Sequence, residues 1–299
     1  MTDLGALEAG GTKFICAIGN EDGNISARRS FPTRGPGETL AEAVDFFRGR
    51  AIRALGIGAF GPLDLQPGSP TRGSITSTPK TGWQSINLIE YFQGALNVPI
   101  GLDTDVNAAA LAEQRRGAGR GLRSLIYLTV GTGIGGGVLI DGHPVHGISH
   151  PEIGHLRIPR DPMHDPFEGI CLFHGDCLEG LASGPAIARR WGQAAESLSA
   201  DHPAWVLEAH YLALAVVNLV LTLAPQRILL GGGVMHQGQL FPLIRLKVQE
   251  FLNGYLQIKA LGPDIREFIQ APGLGDSAGV LGALELAADV FRSGQHSAH

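Results

Sequence analysis

The chain has 299 residues, a hydrophobic fraction of 44%, a charged fraction of 17% and a net charge of -5, with a pI near 6.1. These values are typical of a globular protein of one large or two medium domains, and the lack of a basic tract argues against nucleic acid as a partner. Three cysteines, no leader-like start and no apolar run near 20 residues predict a cytoplasmic protein without disulfides or a membrane span.

Strands and helices alternate along the first half of the chain, which indicates the α/β class. Hydrophobic periodicity predicts strands at 4–10, 13–19, 24–32, 54–60 and 99–103, and helices at 37–53, 85–97 and 105–116.

The opening order of strand, glycine turn, strand and Asp-Gly turn returns after residue 124, with strands at 125–130 and 137–140. Helices at 201–224, 238–258 and 277–292 and a strand at 227–230 follow. The repeat predicts a duplicated fold of two domains around a cleft, with a boundary near 117–123.

Two glycine turns are candidate phosphate sites, because successive backbone N–H groups in such a turn can form an anion nest. The first, Gly10-Gly11-Thr12-Lys13, is by itself better explained as a plain hairpin turn. The second, Gly131-Thr132-Gly133-Ile134-Gly135-Gly136-Gly137, contains the dinucleotide fingerprint, but a strand follows it where that fingerprint needs a helix. No Gly-Lys-Ser/Thr follows either, so a hairpin phosphate cradle remains.

A third glycine cluster, Gly231-Gly232-Gly233, lies where a strand passes into a helix. Backbone there can lie flat against a nucleotide, or the glycines can simply allow tight packing.

Asp105 lies at a junction between a strand and a helix, where it can cap the helix. A carboxylate at such a strand end also suits the base that takes the proton of an attacking hydroxyl in phosphoryl transfer. Asp103 would face the same side but lie deeper. We favour Asp105 as the base and Asn107 as a hydrogen-bonding partner of the substrate or the loop.

His155, Cys171, His174 and Cys177 supply four N and S ligands, the set of a closed zinc site. Residues 156–170 between them are rich in Pro, Asp and Gly, so metal binding would order this loop. Chance clustering is the alternative, because six of the eleven histidines fall between His143 and His174. Four good ligands favour a structural ion. The remaining histidines of this stretch are predicted to be surface or loop residues: His143, His146, His150 and His164.

Glu152 and Glu179 lie at the two ends of this metal-fixed loop. Paired carboxylates can accept hydrogen bonds from vicinal hydroxyls, although both can also be solvated loop charges.

Together these motifs resemble the ROK family, named for repressors, open reading frames and kinases, over essentially the whole chain. Ser183-Gly184-Pro185 and Gly231-Gly-Gly-Val234 belong to the same pattern, and Glu8-Ala-Gly-Gly-Thr-Lys-Phe with the C-x2-H-x2-C cluster is similar to the fructokinase subgroup. The resemblance implies an actin/hexokinase-like (ribonuclease H-like) fold, Mg-ATP as donor, a hexose such as fructose as acceptor, and a homodimer.

The resemblance also implies a role for each matching position, with Asp105 as the catalytic base. Residues matching the ATP or phosphate site are Gly10, Gly11, Thr12, Lys13, Gly131, Thr132, Gly133, Gly231, Gly232 and Gly233. Residues matching the sugar site are Gly61, Pro62, Thr104, Asn107, Glu152, His155 and Glu179, of which His155 would also bind zinc.

Three positions depart from the family pattern. Glu8 stands where the family usually has Asp, which bears on its relation to Mg²⁺. Thr104 stands where many relatives have Asn, and His174 replaces a Cys.

The predicted domains are 1–117 and a larger 118–283 carrying the zinc loop, with a helix at about 284–299 packing back on the first. Glucokinase, mannokinase and amino-sugar kinase are the alternatives within the family. A sugar-responsive DNA-binding regulator is an alternative of another class, but a glycine turn at residue 10 leaves no room for its N-terminal helix-turn-helix. A non-catalytic sugar-binding module is disfavoured by both phosphate turns and Asp105.

Overall fold

The computed structural model describes residues 3–160 and 162–296, which form two compact units. The first unit combines the chain up to Arg120, the segment His143–Pro151 and the chain from Asp276. The second unit combines Gly121–Gly142 and Glu152–Gly275. Relative to the predicted ranges, the segment His143–Pro151 and the start of the closing helix lie with the first unit.

The first unit is built on a sheet with the strand order β3-β2-β1-β4-β5. β1 pairs antiparallel with β2 and parallel with β4, and β5 is parallel to β4. Ala9, Ala59 and Thr104 lie side by side at the carboxyl ends of the three parallel strands. The residues that follow them, including the first glycine turn and Asp105, therefore meet at one edge of this sheet. The strands are β1 (Leu4–Ala9), β2 (Lys13–Gly19), β3 (Ile25–Pro32), β4 (Leu55–Ala59) and β5 (Ile100–Thr104).

The strands of the second unit repeat this topology. They are ordered β10-β9-β6-β7, with β6 antiparallel to β7 and parallel to β9, and with β9 parallel to β10. This is the pattern of β5-β4-β1-β2, which confirms the predicted duplicated α/β fold. The remaining strands are β6 (Leu125–Val130), β7 (Ile134–Ile140), the short β8 (His143–Pro144) of the first unit, β9 (Arg227–Gly231) and β10 (Ile269–Gln270).

Helices cover the sheets, as the α/β class requires. In chain order they are α1 (Pro36–Phe47), α2 (Leu88–Leu96), α3 (Asp105–Arg116), α4 (Leu178–Ala182), α5 (Gly184–Trp191), α6 (Ala204–Leu223), α7 (Leu240–Leu252), α8 (Ile265–Phe268) and α9 (Ala278–His296). Two predicted helices were too long: α1 ends before Gly49 and α7 before Asn253, and both of these residues have a positive φ that stops a right-handed helix.

Side chains alternate between two apolar clusters on opposite faces of the first sheet, as the two-residue repeat of a strand requires. Leu7, Phe14 and Cys16 face a cluster that includes Phe47 and Trp83. The neighbouring residues of the same strands, among them Leu4, Ala6, Ile15 and Ala17, face α9 instead. Both faces of the sheet are therefore buried, which holds the strand ends rigid.

Helix α6 bears on the prediction that the chain has no membrane span. It is long and apolar enough to pass a composition test for a membrane span, with a mean hydropathy of 1.8 over an 18-residue window. However, 56% of that window is buried, and the helix packs against α7 within the second unit. A buried core helix passes the same test, so this helix is weak evidence for a membrane.

Candidate active site and metal centre

The first glycine turn joins β1 to β2, and Gly10 N donates to Lys13 O across it at 3.0 Å. The carbonyl oxygens of Gly10 and Gly11 accept hydrogen bonds from Thr33 Oγ1 at 2.7 Å and from Lys80 Nζ. The carbonyl of Thr12 accepts from Thr33 N at 2.9 Å. Gly10 N is engaged within the turn, whereas Gly11 N and Thr12 N make no backbone hydrogen bond among the described residues and can serve as the donors of an anion nest. Lys80, which the sequence did not single out, brings an ammonium group to this turn.

At the junction of β5 and α3, the residue that caps the helix is not Asp105, the residue considered from the sequence. Thr104 is the N-cap, and its hydroxyl accepts from Asn107 N at 3.1 Å. Asp105 is the first residue of the helix, and its carboxylate accepts from Val106 N, at 2.9 Å, and from its own backbone N–H. The capping role proposed as an alternative for Asp105 is therefore wrong, and no side chain among the described residues is hydrogen-bonded to its carboxylate.

Asp105 and Glu8 are two neighbouring, partly buried carboxyl groups in the first unit. Burial raises the pKa of Asp105 to about 6. Burial, and then the nearby negative charge of Asp105, raise the pKa of Glu8 to about 7. The Oε2 atom of Glu8 is buried and has no hydrogen-bond partner among the described residues. Two such groups side by side have pKa values suited to proton transfer or cation binding near neutral pH.

Asn107 faces the same junction from the first turn of α3. It is only 1% exposed, and its Nδ2 donates to Asp103 Oδ1 at 2.8 Å. Its Oδ1 atom is buried without a hydrogen-bond partner in the described part of the chain. Asp103 is 3% exposed, deeper than Asp105 as predicted.

The Gly61-Pro62 peptide is cis and lies beyond β4, near the predicted sugar residues of the first unit. Next to it, Leu63 N donates to His150 Nε2 at 3.0 Å. His150, predicted to be a surface or loop residue, does lie in a loop, but at 6% exposure it is buried and not on the surface. The buried imidazole of His150 thus supports the Gly61-Pro62 loop through its hydrogen bond with Leu63 N.

In the second unit, three segments converge at the carboxyl end of β6. Gly131 N donates to Gly133 O at 2.9 Å, which closes the turn between β6 and β7. Gly184 N, at the start of α5, donates to Gly131 O at 2.7 Å. Gly232 has φ +89, and a side chain there would come within 2.6 Å of the backbone of Val130. The third glycine cluster thus does allow tight packing, and by doing so it places 231–233 beside the second phosphate turn.

Glu179 connects this turn with the metal loop. Its Oε2 accepts from Ile134 N at 2.9 Å, and it approaches Gly133 so closely that a Cβ atom there would lie 2.6 Å from the carboxylate. Glu179 follows Cys177 by two residues, in the first turn of α4. Glu152, by contrast, is exposed, and its backbone carbonyl begins the short 3-10 turn Ile153–His155.

The four predicted metal ligands lie together. The ligand atoms of His155, Cys171, His174 and Cys177 are all within 4.8 Å of one another. His155 Nδ1 is 3.7 Å from Cys171 Sγ and 3.6 Å from Cys177 Sγ, and His174 Nδ1 is 3.6 Å from Cys171 Sγ. A tetrahedral zinc ion with ordinary bond lengths separates its N and S ligands by about 3.6 Å. The donor set therefore fits zinc in both chemistry and spacing.

A second anchor holds the metal loop, and no local sequence pattern predicts it. Asp165 is 3% exposed and accepts from Arg190 Nε and Nη2, both at 3.2 Å, and from the Tyr211 hydroxyl. Arg190 also stacks over Phe167, with 4.4 Å between the guanidinium carbon and the ring centre. This buried ion pair fixes the middle of the loop to α5 and α6. The cysteine and histidine ligands would therefore need to fix only the ends of the loop.

Two α/β units of matching strand order, each with a glycine turn at a strand end, define a hexokinase-like fold. A family model, ROK family, matches residues 4–290. The chain belongs to the ROK family.

Among similar proteins, a putative fructokinase of Bacillus subtilis (strain 168) is 48% identical over 97% of both chains. A fructokinase of Pediococcus pentosaceus is 44% identical over 97% of this chain and 99% of its own. Among solved structures, the ROK hexokinase from Thermus thermophilus has a TM-score of 0.78 and 29% identity, over 98% of this chain and 100% of its own. A ROK glucokinase from Streptomyces griseus, in complex with glucose and AMPPNP, has a TM-score of 0.76 and 25% identity, over 96% of this chain and 99% of its own.

Proposed function

We propose that this protein is an ATP-dependent hexose kinase that transfers the γ-phosphoryl group of Mg-ATP to fructose. The observation that carries the proposal is the carboxylate of Asp105, which accepts only local backbone hydrogen bonds, whose pKa burial raises to about 6, and which lies at the same sheet edge as the glycine turn at 10–13. A base and a phosphate site at one edge are the parts that phosphoryl transfer to a hydroxyl needs. The fructokinase names of relatives 43–48% identical to this chain support fructose as the acceptor.

In this proposal Asp105 accepts the proton of the attacking sugar hydroxyl. A base with a pKa near 6 is ionised at neutral pH and can still be protonated as the new phosphate ester forms. The hydrogen bond from Val106 N goes to Oδ1, so Oδ2 is the carboxylate oxygen that we assign to the sugar. Asp105 thereby orients the attacking oxygen as well as taking its proton.

The glycine turns are assigned to the nucleotide. The first unit would offer the N–H groups of its turn, together with Thr12, Lys13 and Lys80, to phosphate oxygens. The second unit would offer the cluster of 131–133, 231–233 and the start of α5, where backbone can lie against a nucleotide.

Mg²⁺ fits beside Glu8, because the buried Oε2 of that side chain lacks a partner and a divalent cation or its water would supply one. When bound, the ion would neutralise charge on the transferred phosphoryl group. Glu8 would hold it, and Asp105 would keep its carboxylate for the sugar.

Hydrogen-bond donors and acceptors would together bind the hydroxyl groups of the sugar. Asn107 Oδ1 and the carboxylate of Glu179 are acceptors, whereas the Thr104 hydroxyl can donate even while it caps α3. Glu152, His155 and the Gly61-Pro62 loop complete the proposed set. A site that pairs each hydroxyl discriminates strongly against a sugar that leaves one buried partner unpaired.

Zinc is proposed as a structural ion held by His155, Cys171, His174 and Cys177. Coordination through His155 Nδ1 leaves Nε2 as the ring atom that can contact the sugar. The ion would fix Glu179 as well, because that residue follows the ligand Cys177 by two positions. A reducing cytoplasm would keep both thiols available, and the structure has them unpaired. The cytoplasmic location and the homodimer implied by the family stay predictions, which cell fractionation and light scattering would test.

A panel of acceptors tests the choice of sugar. We expect kcat/KM with Mg-ATP to be highest for fructose among fructose, glucose, mannose and N-acetylmannosamine, because each polar group of the site can discriminate by tenfold or more when left unpaired. The measurement is a coupled assay of ADP formation at one saturating ATP concentration. If glucose or mannose exceeds fructose by tenfold or more, the acceptor assignment fails while the kinase assignment stands.

A further inference from the structure

His146, in the segment His143–Pro151, contacts the β5–α3 junction, which carries proposed sugar-binding residues. His146 Nε2 lies 3.1 Å from Oδ2 and 3.2 Å from Oδ1 of Asp103. The imidazole is partly exposed, whereas the Asp103 side chain is 5% exposed. His146 is therefore an exposed loop residue, as predicted, and it also contacts a buried carboxylate.

The segment carrying His146 is fixed on the first unit at three points. Besides the His146–Asp103 contact, His150 accepts from Leu63 N and Gln66 Nε2 donates to Gly147 O. The histidine is thus held in place by its backbone, and its contact with Asp103 does not depend on a freely moving loop.

Asp103 joins His146 to Asn107. Its Oδ1 accepts from Thr104 N at 2.7 Å and from Asn107 Nδ2 at 2.8 Å. An ionised carboxylate can only accept hydrogen bonds, so it fixes which way the Asn107 amide faces. The amide nitrogen turns toward Asp103, and Oδ1 turns away, where it is buried without a partner among the described residues.

We propose that His146 is a positioning residue that acts through Asp103 to hold Asn107 Oδ1 as the acceptor of a sugar hydroxyl. The inference rests on the proposed hexose kinase function and adds to it a determinant of sugar affinity. His146 does not touch the reacting atoms in this scheme; it supplies the donor that keeps the Asp103 carboxylate in place. The hydrogen bond to Asp103 also raises the pKa of His146, which favours the protonated, donating ring.

Fructose binding to the full-length protein tests this chain of contacts, measured by titration calorimetry beside AMPPNP binding and steady-state kinetics. We expect His146→Ala to raise Kd and KM for fructose by about tenfold, the effect of one well-placed hydrogen bond, with AMPPNP affinity changed by less than about twofold. His146→Gln, which keeps a donor, should restore most of the affinity. Ile148→Ala, in the same segment at a fully exposed position, is the matched control and should behave as wild type.

A double-mutant cycle separates positioning from a merely structural role. If His146 acts through Asn107, removing it in an Asn107→Ala background should change fructose affinity by less than about twofold. Additive losses, unchanged affinity in His146→Ala, or His146→Gln as weak as His146→Ala would each overturn the inference. Wild-type protein that binds no fructose would overturn the proposed acceptor, and this inference with it.

Discussion

Asp105→Asn should lower kcat with fructose by about 10²–10⁴-fold, the usual contribution of a general base. The fold should survive, because Thr104 and not Asp105 caps α3, and because an Asn oxygen can still accept from Val106 N. Circular dichroism and thermal unfolding would verify the fold, and a steady-state assay would give kcat. Asp45→Asn is the matched control, since it makes the same chemical change at an exposed position of α1.

The pH dependence of the wild-type enzyme belongs to the same prediction. The base must be deprotonated to act, and burial raises the pKa of Asp105 to about 6. The acidic limb of kcat/KM should therefore fall about tenfold per pH unit below pH 6, rather than near pH 4 as for an exposed aspartate. A folded Asp105→Asn protein with near-normal kcat would move the base to another residue.

Loss of the metal should have the second large effect. Cys177→Ala should abolish the content of about one zinc per chain and raise KM for fructose by at least about tenfold, as changes around metal sites commonly do. Cys177 is fully buried and directly precedes α4, so removing its sulfur disturbs Glu179 along with the ion. KM for ATP should change less, because only the second glycine turn contacts Glu179 and the first turn belongs to the other unit.

The control for this experiment is the third cysteine. Cys16 lies in the apolar core of the first unit, and Cys16→Ala should keep its zinc even though it loses packing. Elemental analysis and kinetics on both variants give the comparison. Fully active wild-type protein that contains no zinc would refute the metal assignment.

The repeated parts of the fold were predictable from the sequence because they depend on local patterns. The strand at Lys13–Gly19 and the helix at Asp105–Arg116 were predicted at their observed bounds. Each has a clear apolar period and a turn or capping residue at its end. The spacing of the four metal ligands was equally local, and the structure brings their donor atoms together.

The missed features depend on contacts distant in sequence. The hydrogen bond from Leu63 N to the buried His150 joins positions 87 residues apart. The Asp165–Arg190 ion pair joins positions 25 residues apart. Helix α5 was also overlooked, although Ser183 as N-cap followed by Pro185 is a local start signal. The capping role was assigned to Asp105 as an alternative because Asp and Thr are both good caps, and only the backbone geometry distinguishes them.

Counting the products tests most directly whether the protein transfers phosphate from Mg-ATP to fructose. Wild-type protein, Mg-ATP and fructose would be incubated together, and ADP and fructose phosphate would be separated and quantified. We expect one fructose phosphate for each ADP, with little ADP formed when the sugar is omitted. ADP formed without fructose phosphate, or no reaction with fructose at all, would contradict it.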